Sequence, residues 1–232
     1  MMSQITRDES DYYNQGMFYY DHGQYDDAIR SYDMALTINS DDHEAWICRG
    51  VALFELGRYD EAIASYDTAS RINPFDPAPW RNRGIARCEL GQYDGAMESF
   101  NQALAINPED PGAWYCYAVA CSRLERDIDA LESFEKVVAI DPDYSNAWFN
   151  IGVLLYKQGR YEKAVESFDL AIQTDPVFPE AWNNRGIALG RLGRYDDAFA
   201  SIDNAHAMDP ECAGHDHDLA LKKQWLAELW CV

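Results

Sequence analysis

"LGRYDEAIASYD" occupies Leu56–Asp67, and "LGRYDDAFASID" occupies Leu192–Asp203. The two starts are 192 − 56 = 136 = 4 × 34 residues apart, and a looser copy, "LGQYDGAMESFN", begins at Leu90. Tryptophan keeps the same period. Trp46, Trp80, Trp114, Trp148 and Trp182 are each 34 residues apart, and Tyr12 stands 34 before the first. Such a period, seen six times, indicates a solenoid whose units bury their apolar faces only by stacking on one another.

The unit 43–76 shows how each copy folds. Its first helix reads "EAWICRGVALFEL", with Trp46, Gly50, Leu53 and Leu56 on roughly one face at three- and four-residue steps. Gly57 stands where a helix end favours a left-handed residue. The second helix, "DEAIASYDTASRI", opens on acids that suit the positive end of its dipole and carries Ala62, Tyr66 and Ala69 on one face. It stops before Pro74, which cannot donate an amide hydrogen bond and disfavours helix at the residue before it. Gly50 and Ala62 let the two helices approach closely, and Tyr66 fills the space beside them.

These residues resemble the tetratricopeptide repeat (TPR) family. Its aromatic, small residue, turn Gly, Ala, aromatic, Ala and terminal Pro appear here as Trp46, Gly50, Gly57, Ala62, Tyr66, Ala69 and Pro74. The resemblance covers residues 9–212 as six repeats, 9–42, 43–76, 77–110, 111–144, 145–178 and 179–212, after a lead segment 1–8. It implies an all-α fold, a right-handed superhelical α-solenoid of antiparallel helix pairs. Ser40 replaces the terminal Pro in the first repeat, and Ile202 replaces the aromatic in the last. The fourth repeat reads "LERDIDAL", so its turn lacks both Gly and Tyr, and Glu125 must occupy or avoid the conformation Gly adopts freely. The solenoid is expected to be least regular there. Residues 213–232 do not repeat, and "HDLALKKQWLAELW" is expected to form an amphipathic helix that caps the last open face.

The chain is 47% hydrophobic and 25% charged, a core-forming composition. A formal charge of −21 argues against nucleic acid or an anionic membrane as partner. No cationic start leads into an apolar run, and no apolar stretch is long enough to span a bilayer. The six cysteines form no CxxC pair, which suits a reduced, cytoplasmic setting. No P-loop, GxSxG, HExxH or Gly-rich nucleotide fingerprint is present, so no enzymatic activity is assigned. "CAGHDHD", with Cys212, His215 and His217, has metal-ligating residue types but no second cluster to complete a site. It is read as a polar connector, with no metal and no cofactor assigned. Arg49, Arg83 and Arg185 share one column, where the side chain is expected to snorkel past the core stripe to an acid on a neighbouring helix.

The resemblance places the first helix of each repeat on the concave side. Beside the core stripe those helices carry a second apolar stripe, unusual for a helix with one core face. Its members include Tyr13, Met17 and Tyr20; Ile47, Val51 and Phe54; Ile85; Tyr115 and Val119; Phe149, Val153 and Tyr156; and Ile187. The small members suit packing against the adjacent first helix as well as they suit groove exposure. The aromatic ones are read as ligand anchors. Asn14, Asn82, Asn150 and Asn184 share a column suited to hydrogen-bonding a ligand backbone, or to local structure alone. Chaperone-tail-binding members of the family hold a peptide carboxylate with Lys, Arg and Asn. Here those columns hold Tyr13, Met17, Cys48, Ala78 and Asn82, so that clamp is absent. At the ends of the first helices stand Asp21, Glu55, Glu89, Arg123, Lys157 and Arg191, three acids and then three bases.

The function expected from this pattern is a non-enzymatic scaffold binding an extended peptide or short amphipathic helix in the groove. The alternative is self-assembly into a homo-oligomer, with a terminal segment of one copy in its neighbour's groove.

Overall fold

Aspartates start the first four of the helices that the period marks, and a left-handed residue follows the end of each of the six. The computed structural model describes residues 8–209. Among them the helices are α1 (Glu9–Asp21), α2 (Tyr25–Ile38), α3 (His43–Glu55), α4 (Tyr59–Ile72), α5 (Pro77–Glu89), α6 (Tyr93–Ile106), α7 (Pro111–Arg123), α8 (Asp127–Ile140), α9 (Ser145–Lys157), α10 (Tyr161–Thr174), α11 (Pro179–Arg191) and α12 (Tyr195–Met208). Each 34-residue period supplies one pair, odd-numbered first and even-numbered second. The expected capping helix and the "CAGHDHD" segment lie outside the described residues, as do residues 1–7 of the lead segment.

The chain divides into two compact units, one ending at Arg126 and one beginning at Asp127. In the first unit an aspartate caps every first helix. The Asp42 carboxylate, for example, accepts from the amides of Glu44 (3.0 Å) and Ala45 (3.1 Å). Gly57 then turns the chain at φ +72°, donating to the Phe54 carbonyl at 2.8 Å, while Arg58 N–H closes back on Leu53 at 2.9 Å. Glu125 makes the equivalent bonds without a glycine. It sits at φ 57°, its amide reaches the Ser122 carbonyl at 3.1 Å, and Arg126 N–H reaches Cys121 at 2.9 Å. Among the described residues it is the sole non-glycine at positive φ, and the unit boundary follows directly after it. Replacing Glu125 with Gly should therefore stabilise the protein by about 0.5–1 kcal/mol, the relieved Cβ strain less the added freedom of the unfolded chain. Equilibrium denaturation would check this, with Glu125→Val expected to destabilise.

In four of the six pairs a ring is laid over a glycine, while Ala118 holds the glycine's column in the fourth. Tyr66 is 2% exposed, and a Cβ on Gly50 would stand 2.5 Å from its ring. The same apposition joins Gly16 to Tyr32 and Gly84 to Phe100 in the first unit, and Gly152 to Phe168 in the second. Gly186 meets Ile202 instead, at 2.7 Å. The expectation that Leu56 belongs to this core is corrected. Helix α3 ends one residue earlier, Leu56 is its C-cap and is 37% exposed, and Leu53 at 0% carries the contact. The five periodic tryptophans are half-buried, and their indole N–H groups tie down the preceding turn. Trp46 donates to the Ser40 carbonyl at 3.0 Å, Trp114 to Pro108 at 2.9 Å, and Trp148 to Pro142 at 2.9 Å. Trp80 is the exception, its buried N–H having no acceptor among the described residues.

Candidate functional site

The first helices form the tighter row of each unit. In the first unit α1 packs on α3, α3 on α5 and α5 on α7, and in the second α9 packs on α11. The second helices make no comparable contact with their own kind among the described residues, so each unit curves with its first helices inside.

On this inner row of the first unit, Tyr13, Tyr20, Ile47, Phe54 and Tyr115 are half-buried, and Met17 is 43% exposed. The rings lean on their own pairs rather than standing free. Tyr20 lies 5.4 Å from Tyr25 between ring centres, Phe54 lies 5.2 Å from Tyr59, and Tyr13 lies 5.9 Å from Tyr32. The Tyr13 hydroxyl also meets the Cys48 thiol at 3.5 Å. Val51, Phe54, Tyr66, Asn82 and Ile85 line a pocket of about 110 Å³ between α3 and α5. Cys88 occupies the column held by Phe54 one period earlier, so no second ring closes over it.

In the second unit Phe149, Asn150, Tyr156 and Asn184 are also half-buried. Phe149 is wedged against Phe168 (5.9 Å) and Phe178 (5.0 Å), and Tyr156 leans on Tyr161 at 5.2 Å. Three asparagines of the column spend their amide donors locally, Asn14 of the first unit on the Ser10 hydroxyl at 3.4 Å. Asn150 donates to the Asn146 carbonyl at 2.7 Å and Asn184 to Glu180 at 2.8 Å. Asn82, facing the pocket, makes no such bond among the described residues.

All six residues of the charge column are exposed. Among the described residues Asp21, Glu55, Glu89 and Arg123 enter no ion pair. Lys157 approaches Asp127 at 3.4 Å, and Arg191 donates to the Tyr156 hydroxyl at 3.0 Å, a bond that raises the arginine's pKa further. Burial pushes the thiols of the inner row upward, Cys88 to about 11 and Cys48 and Cys116 in the same direction. They are protonated at neutral pH and poor nucleophiles. Among the described residues no group of His, Cys, Asp or Glu is placed to hold a metal ion, and no helix is long and apolar enough to cross a membrane.

The arginine column is a set of three-helix staples. Arg49 on α3 donates to Asp33 on α2 and to Ser65 on α4, both at 2.7 Å, with its guanidinium 5.6 Å from the Trp46 ring centre. Arg83 repeats this with Asp67 (2.7 Å), Ser99 (3.0 Å) and Trp80 (4.5 Å). Arg185 repeats it with Asp169 (2.5 Å), Ser201 (2.6 Å) and Trp182 (5.8 Å). The acid on a neighbouring helix was legible in the sequence. The serine was missed, although Ser31, Ser65, Ser99, Ser133, Ser167 and Ser201 keep the 34-residue period.

More than half of the chain, residues 6–136, matches a family model described as the C-terminal domain of cilia and flagella-associated protein 70. Tetratricopeptide repeat models match residues 127–159, 145–178 and 179–212. The chain belongs to the tetratricopeptide repeat family. No curated protein matches this TPR chain in sequence. Among solved structures it is similar to Pseudomonas aeruginosa PilF, with TM-score 0.76 and 18% identity over 95% of this chain and 97% of that one. It is similar to PilW, a type IV pilus biogenesis factor, with TM-score 0.73 and 20% identity over 88% of this chain and 94% of that one. YrrB, described as a TPR protein with an unusual peptide-binding site, aligns with TM-score 0.66 and 22% identity over 78% of this chain and 93% of that one. At these identities the likeness is one of fold, an all-α solenoid of helix pairs.

Proposed function

We propose that this TPR chain is a non-enzymatic scaffold that binds an extended peptide or short amphipathic helix along the inner row of its first helices. The observation that carries the reading is the open apolar pocket between α3 and α5, beside exposed acids that have no ion-pair partner. One apolar ligand side chain enters that pocket against Val51, Phe54 and Ile85, and Asn82 hydrogen-bonds the ligand backbone next to it. The half-buried aromatics elsewhere on the row supply further contact area with rings already held by their own pairs, so little side-chain freedom is lost on binding. Basic ligand residues face the exposed Asp21, Glu55 and Glu89 of the first unit. These exposed pairs set register and salt dependence more than affinity, at about 0.2–1 kcal/mol each. The net charge of −21 turns the chain away from nucleic acid, and its thiols suit a reducing cytoplasm.

Selection from a random peptide library against the whole protein tests this. Enriched peptides should share one bulky apolar residue flanked by Lys or Arg, and should lose binding to the Phe54→Ser and Ile85→Glu variants. Peptides that bind both variants as well as wild type would place recognition elsewhere and sink the reading. Sedimentation of the protein alone over a range of concentrations separates out self-assembly, which would appear as concentration-dependent mass.

A further inference from the structure

The fifth period breaks the arginine staple and leaves its receptors behind. Moving 102 = 3 × 34 residues along from Asp33, Trp46, Arg49 and Ser65 gives Glu135, Trp148, Ile151 and Ser167. Here the acid, the indole and the serine are kept, but the arginine is Ile151, which is 4% exposed and ends where a guanidinium would begin. All four residues line one pocket of about 340 Å³ bounded by α8, α9 and α10. Glu135 has no hydrogen-bond or ion-pair partner among the described residues. Ser167 gives its hydroxyl proton to the Lys163 carbonyl at 2.9 Å, as Ser65 does to Glu61 at 3.1 Å while accepting from Arg49. Its lone pairs are therefore placed as acceptors, and Val138 and Leu170 offer apolar walls for an aliphatic stem.

We propose that this pocket is a receptor for an arginine side chain of a partner protein, whose guanidinium takes the place that Arg49, Arg83 and Arg185 fill internally in other periods. A planar guanidinium can bridge two acceptors while stacking on an indole, which a lysine ammonium cannot reproduce. Two cations stand on the rim, Arg160 and Lys163, with Glu166 beside them. Arg160 donates to the Gln158 side chain at 3.1 Å, and its column holds Arg58 and Arg194 in periods whose staples are filled, so a cation there does not bar a guanidinium. Lys163 replaces an acid of those periods, Glu61 or Asp197. It weakens the site for a lone arginine and favours one with a neighbouring carboxylate. The pocket opens between second helices, so it is independent of the inner-row reading.

The test is a titration of the whole ¹⁵N-labelled protein with Nα-acetyl-arginine amide, watching the Trp148 indole resonance, assigned from its loss in Trp148→Phe. A saturable shift in the millimolar range is expected, with the indoles of Trp46, Trp80 and Trp182, already covered by internal arginines, left in place. The lysine counterpart should bind at least about five-fold more weakly. Glu135→Gln, an exposed change that spares the fold, should weaken arginine binding by about five-fold or more. Ile151→Arg should fill its own pocket and show no response. A non-saturating shift, an equal response to lysine, or undiminished binding by Glu135→Gln would each overturn the proposal. So would a response to acetate or phosphate in place of arginine, since Arg160 and Lys163 would then be the site.

Discussion

Replacing Phe100 with Ala is expected to lower the free energy of unfolding by about 3–5 kcal/mol in equilibrium denaturation. The ring is 0% exposed and lies over Gly84, where a Cβ would come within 2.5 Å of Cε1. Removing it therefore opens a cavity at the contact that joins α5 to α6, and rigid helix backbones on both sides limit its collapse. Because each pair is stable only on its neighbours, the loss should lower the stability of the whole first unit rather than fray one hairpin. The reverse change tests the same contact. Gly84→Ala should cost about 1–3 kcal/mol, since the added methyl meets the ring and the ring has no free space to take. In the double variant Gly84→Ala, Phe100→Leu the two costs should fall short of their sum, because the shorter side chain vacates the room the methyl needs. Strict additivity would mean that the ring and the glycine do not depend on each other.

That contact was legible because it rests on identity and period together. Gly50, Gly84 and Gly152 recur with Tyr66, Phe100 and Phe168, each pair sixteen residues apart, and spacing alone names both partners. The turn at Glu125 was legible as a conflict but not as an outcome. Sequence shows a missing glycine, while only the backbone shows that Glu125 takes the left-handed conformation rather than avoiding it. Leu56 was misplaced because periodicity does not mark the residue at which a helix ends, and a C-cap side chain leaves the face its phase implies. The inner row was half legible. The sequence shows a second apolar stripe, but Phe54 and Tyr156 spend one side of each ring on Tyr59 and Tyr161, a contact across the turn that helical phase cannot count. The staples had a signal in plain view, since serine keeps the period as strictly as tryptophan. A small polar residue at 0% exposure, as Ser65 is, reads as a surface residue until its partner is seen.

Arg185→Ile is expected to destabilise the second unit by about 1.5–3 kcal/mol, through loss of its bonds to Asp169 and Ser201. The side chain is 21% exposed and ties α10 to α12 across α11, so one residue holds three helices. Ser201 is 1% exposed, and although it keeps its donated bond to the Asp197 carbonyl at 2.8 Å, its accepting side would face no donor. Asp169 is half-exposed and can return to water, which keeps the cost at the lower end of what a buried pair would lose. The same substitution at Arg83 should cost less. Arg87 stands beside Ser99, donating at 3.3 Å, and can take over as partner. Arg185→Lys should rescue little, because a single ammonium cannot reach both acceptors and stack on Trp182. Added salt should weaken the Asp169 contribution and leave the Ser201 bond, so the penalty should shrink with ionic strength without vanishing. Arg185→Ile also recreates the fifth-period arrangement, with Asp169, Ser201 and Trp182 around an isoleucine. If the guanidinium reading of that arrangement is right, free Nα-acetyl-arginine amide should bind the variant and restore part of the lost stability. An Arg185→Ile protein as stable as wild type would show that packing of the isoleucine outweighs the staple. Loss of stability with no rescue by arginine would separate the staple's structural role from its capacity to receive a ligand.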